Sequence, residues 1–231
     1  MSKNIKVLSF DLDDTLWPCL PTIERAEECL YQWLSEHVPI ITQHYDKQQL
    51  RQKRKLLLLE HEEIAHDLTR LRIHSFEQLA QEFSLTDKWI QPAFDVFYEA
   101  RQQITLFDDV KPVLDKLSAD YRLVSVTNGN ADTVKTGVDH WFEFALNSVS
   151  VGKLKSEPDI YQRVQTLTCI DAQQMVHIGD HPLQDVTGAR SAGVFAIWLN
   201  RQQDVWPLED CSPDATINTL TELPELLRRL A

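Results

Sequence analysis

Apolar and polar positions change rhythm along this chain, and each change marks a different kind of structure. Ile5 to Phe10 is a short apolar run with β-branched members between polar flanks, which predicts a strand buried on both faces. From about Pro18 to Gln103 the apolar residues recur at helical spacing, as in Ile23, Ala26, Leu30, Trp33 and Leu34, with very little glycine. Four helices are predicted there, at about Thr22 to His37, Lys47 to Arg72, Ser75 to Phe83 and Asp87 to Gln103, and Pro92 should break or bend the last. From Val110 onward strand and helix alternate. Leu123 to Val126, Phe144 to Leu146, Met175 to Ile178, Val194 to Leu199 and Ala215 to Ile217 are the strand candidates, and a helix over Leu220 to Leu230 follows them.

Such alternation implies parallel strands joined by right-handed crossovers, with ligands bound beyond the carboxyl ends of the strands. The expected class is therefore α/β, a Rossmann-like parallel-sheet core with an inserted all-helical domain. Residues 1–16 and 105–231 form the discontinuous core, and residues 17–104 the helical cap. The insertion leaves the chain just after a group of acids at the end of the first strand. It is expected to act as a lid over that group, excluding water or selecting a substrate.

Composition narrows the partners. Among 231 residues, 35 acids against 23 bases give a formal net charge of −12, which repels nucleic acid and anionic lipid. Any phosphate must then be bound by a local arrangement. No apolar run approaches the length of about 20 residues needed to span a bilayer, and Met1-Ser-Lys-Asn before the first strand is too short for a secretory signal, so a cytoplasmic protein is expected. Cys19, Cys29, Cys169 and Cys211 lack metal-type spacing and read as reduced thiols. The expected partner is a small-molecule phosphate ester, bound by a monomer or homodimer.

Four motifs carry the chemistry. Asp11 and Asp13 stand two apart at the end of the first strand, so one turn can present both carboxylates to a reacting centre, a spacing that suits a nucleophile and a general acid/base. A turn with Asx capping is the plain alternative for such a pair taken alone. Thr127, followed by Asn128, Gly129 and Asn130, combines a hydroxyl with the backbone N–H groups of a glycine-containing turn, a pocket for phosphate oxygens. Of two lysines, Lys155 is preferred and Lys153 reads as solvated: Ser156 and Asp159 look like the capped start of a helix, which would put Lys155 just before a positive helix end. Gly179-Asp180 and then Asp185 follow another strand and add acids to the first group. Two like charges about 4 Å apart repel by roughly 4 kcal/mol at an effective dielectric near 20. Bringing the acidic groups together therefore needs a cation, and oxygen-only ligands at a phosphate site suit Mg²⁺.

The run Phe10-Asp-Leu-Asp-Asp-Thr-Leu16 resembles the first motif of the haloacid dehalogenase superfamily, and Thr127, Lys155 and the Gly179 to Asp185 segment resemble the next three in order. Ser156 stands where the family usually has proline. The resemblance implies a phosphatase in which Asp11 is the nucleophile, Asp13 the general acid/base, and Thr127, Asn128 and Lys155 the phosphate-binding groups. It also implies Mg²⁺ held by Asp11, the backbone carbonyl of Asp13 and Asp180, while Asp185 acts through water or holds Lys155. The Trp198-Leu-Asn-Arg201 ending is common in the superfamily. The stretches Phe10 to Leu16, His66 to Leu79, Val126 to Asn130 and Asp139 to Phe144 are further similar to a bacterial subgroup that hydrolyses flavin mononucleotide and the phosphorylated ribityl-aminouracil precursor of riboflavin.

Other residues have two readings. Trp17 can stack on a substrate ring or line the hinge, and Arg70, within the run His66, Arg70, Arg72 and His74, can meet a second anionic group, although a solvated helix face is expected for most of that run. His177 and His181 are expected to support the metal ligands. Asp13 argues against dehalogenase chemistry, because a leaving halide needs no proton. A phosphonate hydrolase using Lys47, Lys53, Lys55 or Lys88, a phosphomutase, a sugar-phosphate or nucleotide phosphatase, and a non-catalytic binding protein on the same fold stay open as alternatives.

Overall fold

Short buried strands alternate with helices through most of the chain in the computed structural model, which describes residues 4–230. Residues 1–3 and 231, assigned above to the core, lie outside the described residues. Two units separate. One comprises residues up to Pro18, Thr105–Gly129 and Thr133 onward; the other comprises Cys19–Ile104 and Asn130–Asp132.

The first unit is built on a six-stranded, all-parallel sheet in the order β3-β2-β1-β4-β5-β6. The strands are β1 Val7–Phe10, β2 Arg122–Thr127, β3 Ala145–Asn147, β4 Met175–Gly179, β5 Phe195–Leu199 and β6 Ala215–Ile217. β1 and β4 are buried at every position, as their apolar runs require when helices cover both faces. The chain builds outward from β1 to β2 and β3, then returns to place β4 on the other side of β1. This reversal makes the crevice beyond β1 and β4 the natural ligand site of an open parallel sheet. Val7, Val124, Val126, Ile160, Val164, Met175 and Val186 pack together as its core.

Helices α1 Cys19–His37, α2 Pro39–His44, α3 Lys47–Glu60, α4 Leu68–Glu82 and α5 Ile90–Arg101 form the second unit. Its core joins Ala26, Leu30 and Leu34 of α1 to Phe76 and Leu79 of α4 and to Ala93, Phe94 and Phe97 of α5. The apolar stripe at i, i+4 spacing read from the sequence is the stripe that packs. Two details of that reading change. The break expected between Arg72 and Ser75 is absent, and the chain instead leaves helix after Glu60 and re-enters at Leu68, where the Asp67 carboxylate accepts the Arg70 N–H at 2.8 Å. Ser75 Oγ donates to the Arg72 carbonyl within the helix at 2.6 Å instead of capping a new one. Pro92 sits in the first turn of α5 and breaks nothing, because the N–H it lacks has no intrahelical acceptor there.

The first unit adds α6 Val110–Leu117, α7 Thr133–Thr136, α8 Ser148–Val151, α9 Asp159–Thr168, α10 Gly188–Ser191 and α11 Leu223–Leu230. Among the described residues no helix is long and apolar enough to cross a membrane.

Candidate active site

The chain leaves β1 into a tight turn: the Leu16 N–H donates to the Leu12 carbonyl at 2.7 Å and the Asp14 N–H to the Trp17 carbonyl at 2.8 Å. Asp14 takes a positive φ of 57°, a conformation that aspartate tolerates better than bulky residues. Asp11 stays at the strand end, 5 % exposed, with its N–H on the Ile178 carbonyl of β4 at 2.9 Å. Asp13 is placed differently. Its Oδ1 accepts the indole N–H of Trp17 at 2.8 Å, and Trp17 is fully buried.

Asp11, Asp180 and Asp185 bring carboxylate oxygens within 4.8 Å of one another. Lys155 Nζ, buried, donates to Asp11 Oδ1 and to Asp185 Oδ1, the latter at 2.6 Å. A single ammonium thus pairs with two of the three acids. Burial raises the Asp11 carboxyl well above the usual carboxylate range, against the pull of Lys155. Asp180 is pushed up to about 7, chiefly by burial and then by the neighbouring Asp185 charge. Asp185 moves the other way: burial works against its ionised form, but Lys155 and His177 outweigh it and hold the carboxyl low. Lys155 is likewise raised, since Asp11 and Asp185 outweigh the cost of burying its charge.

Asp185 is held on every side. His177 Nε2 lies 2.9 Å from Asp185 Oδ1, and the His181 N–H donates to Oδ2 at 2.9 Å. A carboxylate only accepts, so His177 carries its proton on Nε2, and Nδ1 accepts the Ser9 hydroxyl at 2.8 Å. Ser9 and His177 are register partners on β1 and β4, so the two polar side chains of these buried strands satisfy each other. Burial keeps His177 below its ordinary pKa, which suits this neutral form.

Thr127 ends β2 with its Oγ1 accepting the Gly129 N–H at 2.9 Å. Asn128 Oδ1 accepts the Lys155 N–H at 2.9 Å, while its buried Nδ2 has no hydrogen-bond partner among the described residues. An unmatched buried donor costs about 1–3 kcal/mol unless something accepts from it. Beside Asp180 lies a cavity of about 840 Å³ whose walls include Asp14, His181, Asn200 and Arg201.

Residues 5–193 match the family of haloacid dehalogenase-like hydrolases. The chain belongs to that family. It is 29 % identical over 230 residues to the 5-amino-6-(5-phospho-D-ribitylamino)uracil phosphatase YigB of Escherichia coli, a match covering 96 % of each chain. It is 25 % identical over 239 residues to a glyceraldehyde 3-phosphate phosphatase of Methanopyrus kandleri, covering 98 % of this chain and 99 % of that one. A crystal structure described as a 2-haloacid dehalogenase from Pseudomonas syringae pv. Tomato DC3000 superposes with a TM-score of 0.91 at 35 % identity, covering 98 % of this chain and 100 % of that one.

Within this hydrolase fold the lysine is placed by means other than those expected. Ser156 is not an N-cap: α9 begins at Asp159, preceded by Pro158 with no side-chain cap. Lys155 is fixed instead by Asn128 and by Gly188, where an added Cβ would overlap the Lys155 carbonyl oxygen. Gly179 is equally constrained, since a Cβ there would overlap the Asp185 carboxylate. Neither close approach is visible in a one-dimensional pattern. Lys153 makes an exposed pair with Glu157 at 3.0 Å. Arg70 is exposed and pairs with Glu77 at 2.9 Å, whereas Arg72 departs from the solvated face expected of its run: it is buried, stacked on Phe97 at 3.3 Å and paired with Glu27 at 3.6 Å. The Trp198-to-Arg201 ending has a local task. Trp198 Nε1 donates to the Asp180 carbonyl at 2.7 Å, and Arg201 grips Asp109 at 3.0 Å through two nitrogens and the Thr15 carbonyl at 2.9 Å.

Proposed function

We propose that this hydrolase cleaves phosphomonoesters of small metabolites with the help of Mg²⁺, through an aspartyl-phosphate on Asp11. One observation carries the reading: three carboxylates, Asp11, Asp180 and Asp185, gather beside one buried lysine that pairs with Asp11 and Asp185, and a bound cation would favour the ionised forms that burial and mutual repulsion now oppose in Asp11 and Asp180. An all-oxygen donor set of this kind fits Mg²⁺. Asp11 and Asp180, with the Asp13 carbonyl, would hold the ion, and when bound it would neutralise charge on the phosphoryl oxygens and on the carboxylates.

The chain's own groups account for the remaining steps. Asp11 Oδ attacks phosphorus and the ester P–O bond breaks, transferring the phosphoryl group to the carboxylate. Asp13, oriented by the Trp17 indole N–H, gives its proton to the departing alkoxide and later takes one from the water that cleaves the acyl phosphate. Lys155, the Thr127 hydroxyl and the unmatched Nδ2 of Asn128 donate to the transferring oxygens. Asp185, saturated by His177, His181 and Lys155, keeps the ammonium aimed at the centre.

Flavin mononucleotide and the phosphorylated ribityl-aminouracil are the substrates of first choice, supported by the full-length likeness to YigB. Arg70 and Trp17 are the side chains proposed to bear on substrate choice, Trp17 through its hold on Asp13. The 35 % identity to a structure described as a 2-haloacid dehalogenase favours one competing reading, halide displacement from a 2-haloacid. Asp13 weighs against it, because halide departs without a proton. The test is release of phosphate from p-nitrophenyl phosphate, flavin mononucleotide, sugar phosphates and nucleotides, with and without Mg²⁺, beside release of chloride from 2-chloropropionate. Magnesium-dependent phosphate release is expected. Chloride release without phosphate release would overturn the phosphatase reading, and a tenfold preference for a sugar phosphate would overturn the flavin one.

A further inference from the structure

The division between the two units also falls inside the Thr127 segment. Residues 130–132 follow the Thr127–Gly129 turn directly, yet they belong to the helical unit. Gln102, at the C-terminal end of α5 and 4 % exposed, accepts the Asp132 N–H on Oε1 at 2.8 Å and donates Nε2–H to the Asn130 carbonyl at 3.3 Å. Arg101, 1 % exposed, donates Nε–H to Asn130 Oδ1 at 3.2 Å, and Asn130 Nδ2 reaches Thr69 Oγ1 on α4 at 3.3 Å. On the other side of the division, Asn128 is bound to Lys155 at 2.9 Å, and its carbonyl accepts the Ser148 hydroxyl at 3.4 Å. One peptide bond, Gly129–Asn130, separates the two sets of anchors.

We propose that Gln102 and Arg101 are positioning residues for the phosphoryl-binding turn, a role that rests on the phosphatase reading above. A turn that offers backbone N–H groups to an anion works only while those groups converge, and a glycine-containing loop holds that shape only if both ends are fixed. Lys155 and Ser148 fix the entry. Gln102 fixes the exit through main-chain atoms alone, so its grip is independent of the side chains at 130 and 132. Both polar ends of this buried amide are spent on that segment.

The experiment compares wild type with Gln102→Ala and Gln102→Glu. For each protein it measures KM on p-nitrophenyl phosphate and on flavin mononucleotide, competitive inhibition by inorganic phosphate, phosphate binding to the magnesium-loaded protein by calorimetry, and the melting temperature. Gln102→Ala should weaken phosphate binding and raise both KM values by the same factor, about fivefold for the lost hydrogen bonds. Gln102→Glu, which keeps the acceptor for the Asp132 N–H and loses the donor to Asn130, should fall between them. Unchanged phosphate binding with a lowered melting temperature would overturn the inference, as would a KM increase confined to one ester. Should Gln102→Ala fail to fold, Gln102→Glu decides alone, and phosphate binding equal to wild type in that variant overturns the inference. A wild type that binds phosphate but hydrolyses no ester overturns the phosphatase reading while the calorimetric ratio still decides the positioning role. A wild type that binds no phosphate overturns both.

Discussion

Both units bury charge, and the excess has opposite sign in each. In the sheet unit three carboxylates, Asp11, Asp180 and Asp185, cluster beside Lys155, which pairs with Asp11 and Asp185. In the helical unit two guanidinium groups, Arg54 and Arg72, share Glu27, and Arg72 also lies over the Phe97 ring at 3.3 Å. In the helical network the ring of Phe97 takes up part of the surplus, because a flat, weakly hydrated guanidinium can stack on an aromatic face, although the buried Nη1 of Arg72 has no hydrogen-bond partner among the described residues. Carboxylates have no such partner in a ring. Their surplus can be met by protonation, as the raised Asp11 and Asp180 carboxyls indicate, or by a cation from outside, which is the role proposed for Mg²⁺.

Four substitutions bear on that contrast, from the largest effect to the smallest. Asp11→Asn removes the proposed nucleophile and one of the crowded charges. Turnover of p-nitrophenyl phosphate should fall about a thousandfold or more, while urea unfolding should show equal or greater stability, since burial already disfavours the ionised form of Asp11. A variant keeping a tenth of wild-type turnover would rule out the covalent route. Lys155→Ala strips from Asp11 and Asp185 the buried cation that pairs with both. It should lose stability by about 3 kcal/mol as well as about a hundredfold in kcat, and full turnover would show that the lysine was misassigned.

Gly188→Ala asks whether backbone packing alone places that lysine. The new Cβ overlaps the Lys155 carbonyl, so a loss of about 1–3 kcal/mol in unfolding free energy is expected, together with a lower kcat that Gly193→Ala, whose added Cβ meets only Ala172, should not share. Glu27→Gln tests the other cluster. Leaving Arg54 and Arg72 without their carboxylate should cost about 3 kcal/mol of stability, with phosphoryl turnover unchanged at a temperature where the variant is folded. A large drop in kcat there would mean that the helical cluster takes part in the chemistry after all.

The sequence carried the strands well because buried parallel strands are short apolar runs with polar ends. It misplaced the helix break near Arg72 for a physical reason: residues 61–67 contain neither glycine nor proline, and the only cue is the capping Asp67. Ser156 misled in the opposite sense. It has the right residue type for a cap, yet the Lys155 backbone N–H goes to Asn128, and the helix begins three residues later at Asp159.

What the sequence by itself determined was the chemistry available, carboxylates at strand ends and a hydroxyl, a lysine and a glycine turn in an order that only a parallel sheet can bring to one edge. Side-chain type and spacing are local properties, and local properties are written in one dimension. Which lysine serves which acid, that Ser9 and His177 satisfy each other across two strands, that Gly188 must lack a Cβ, and that Gln102 holds residues 130 and 132 beyond the Thr127 turn were decided by the tertiary structure. Each depends on atoms brought together from distant parts of the chain, and such contacts are set by packing and register, which no pattern of residues states in advance.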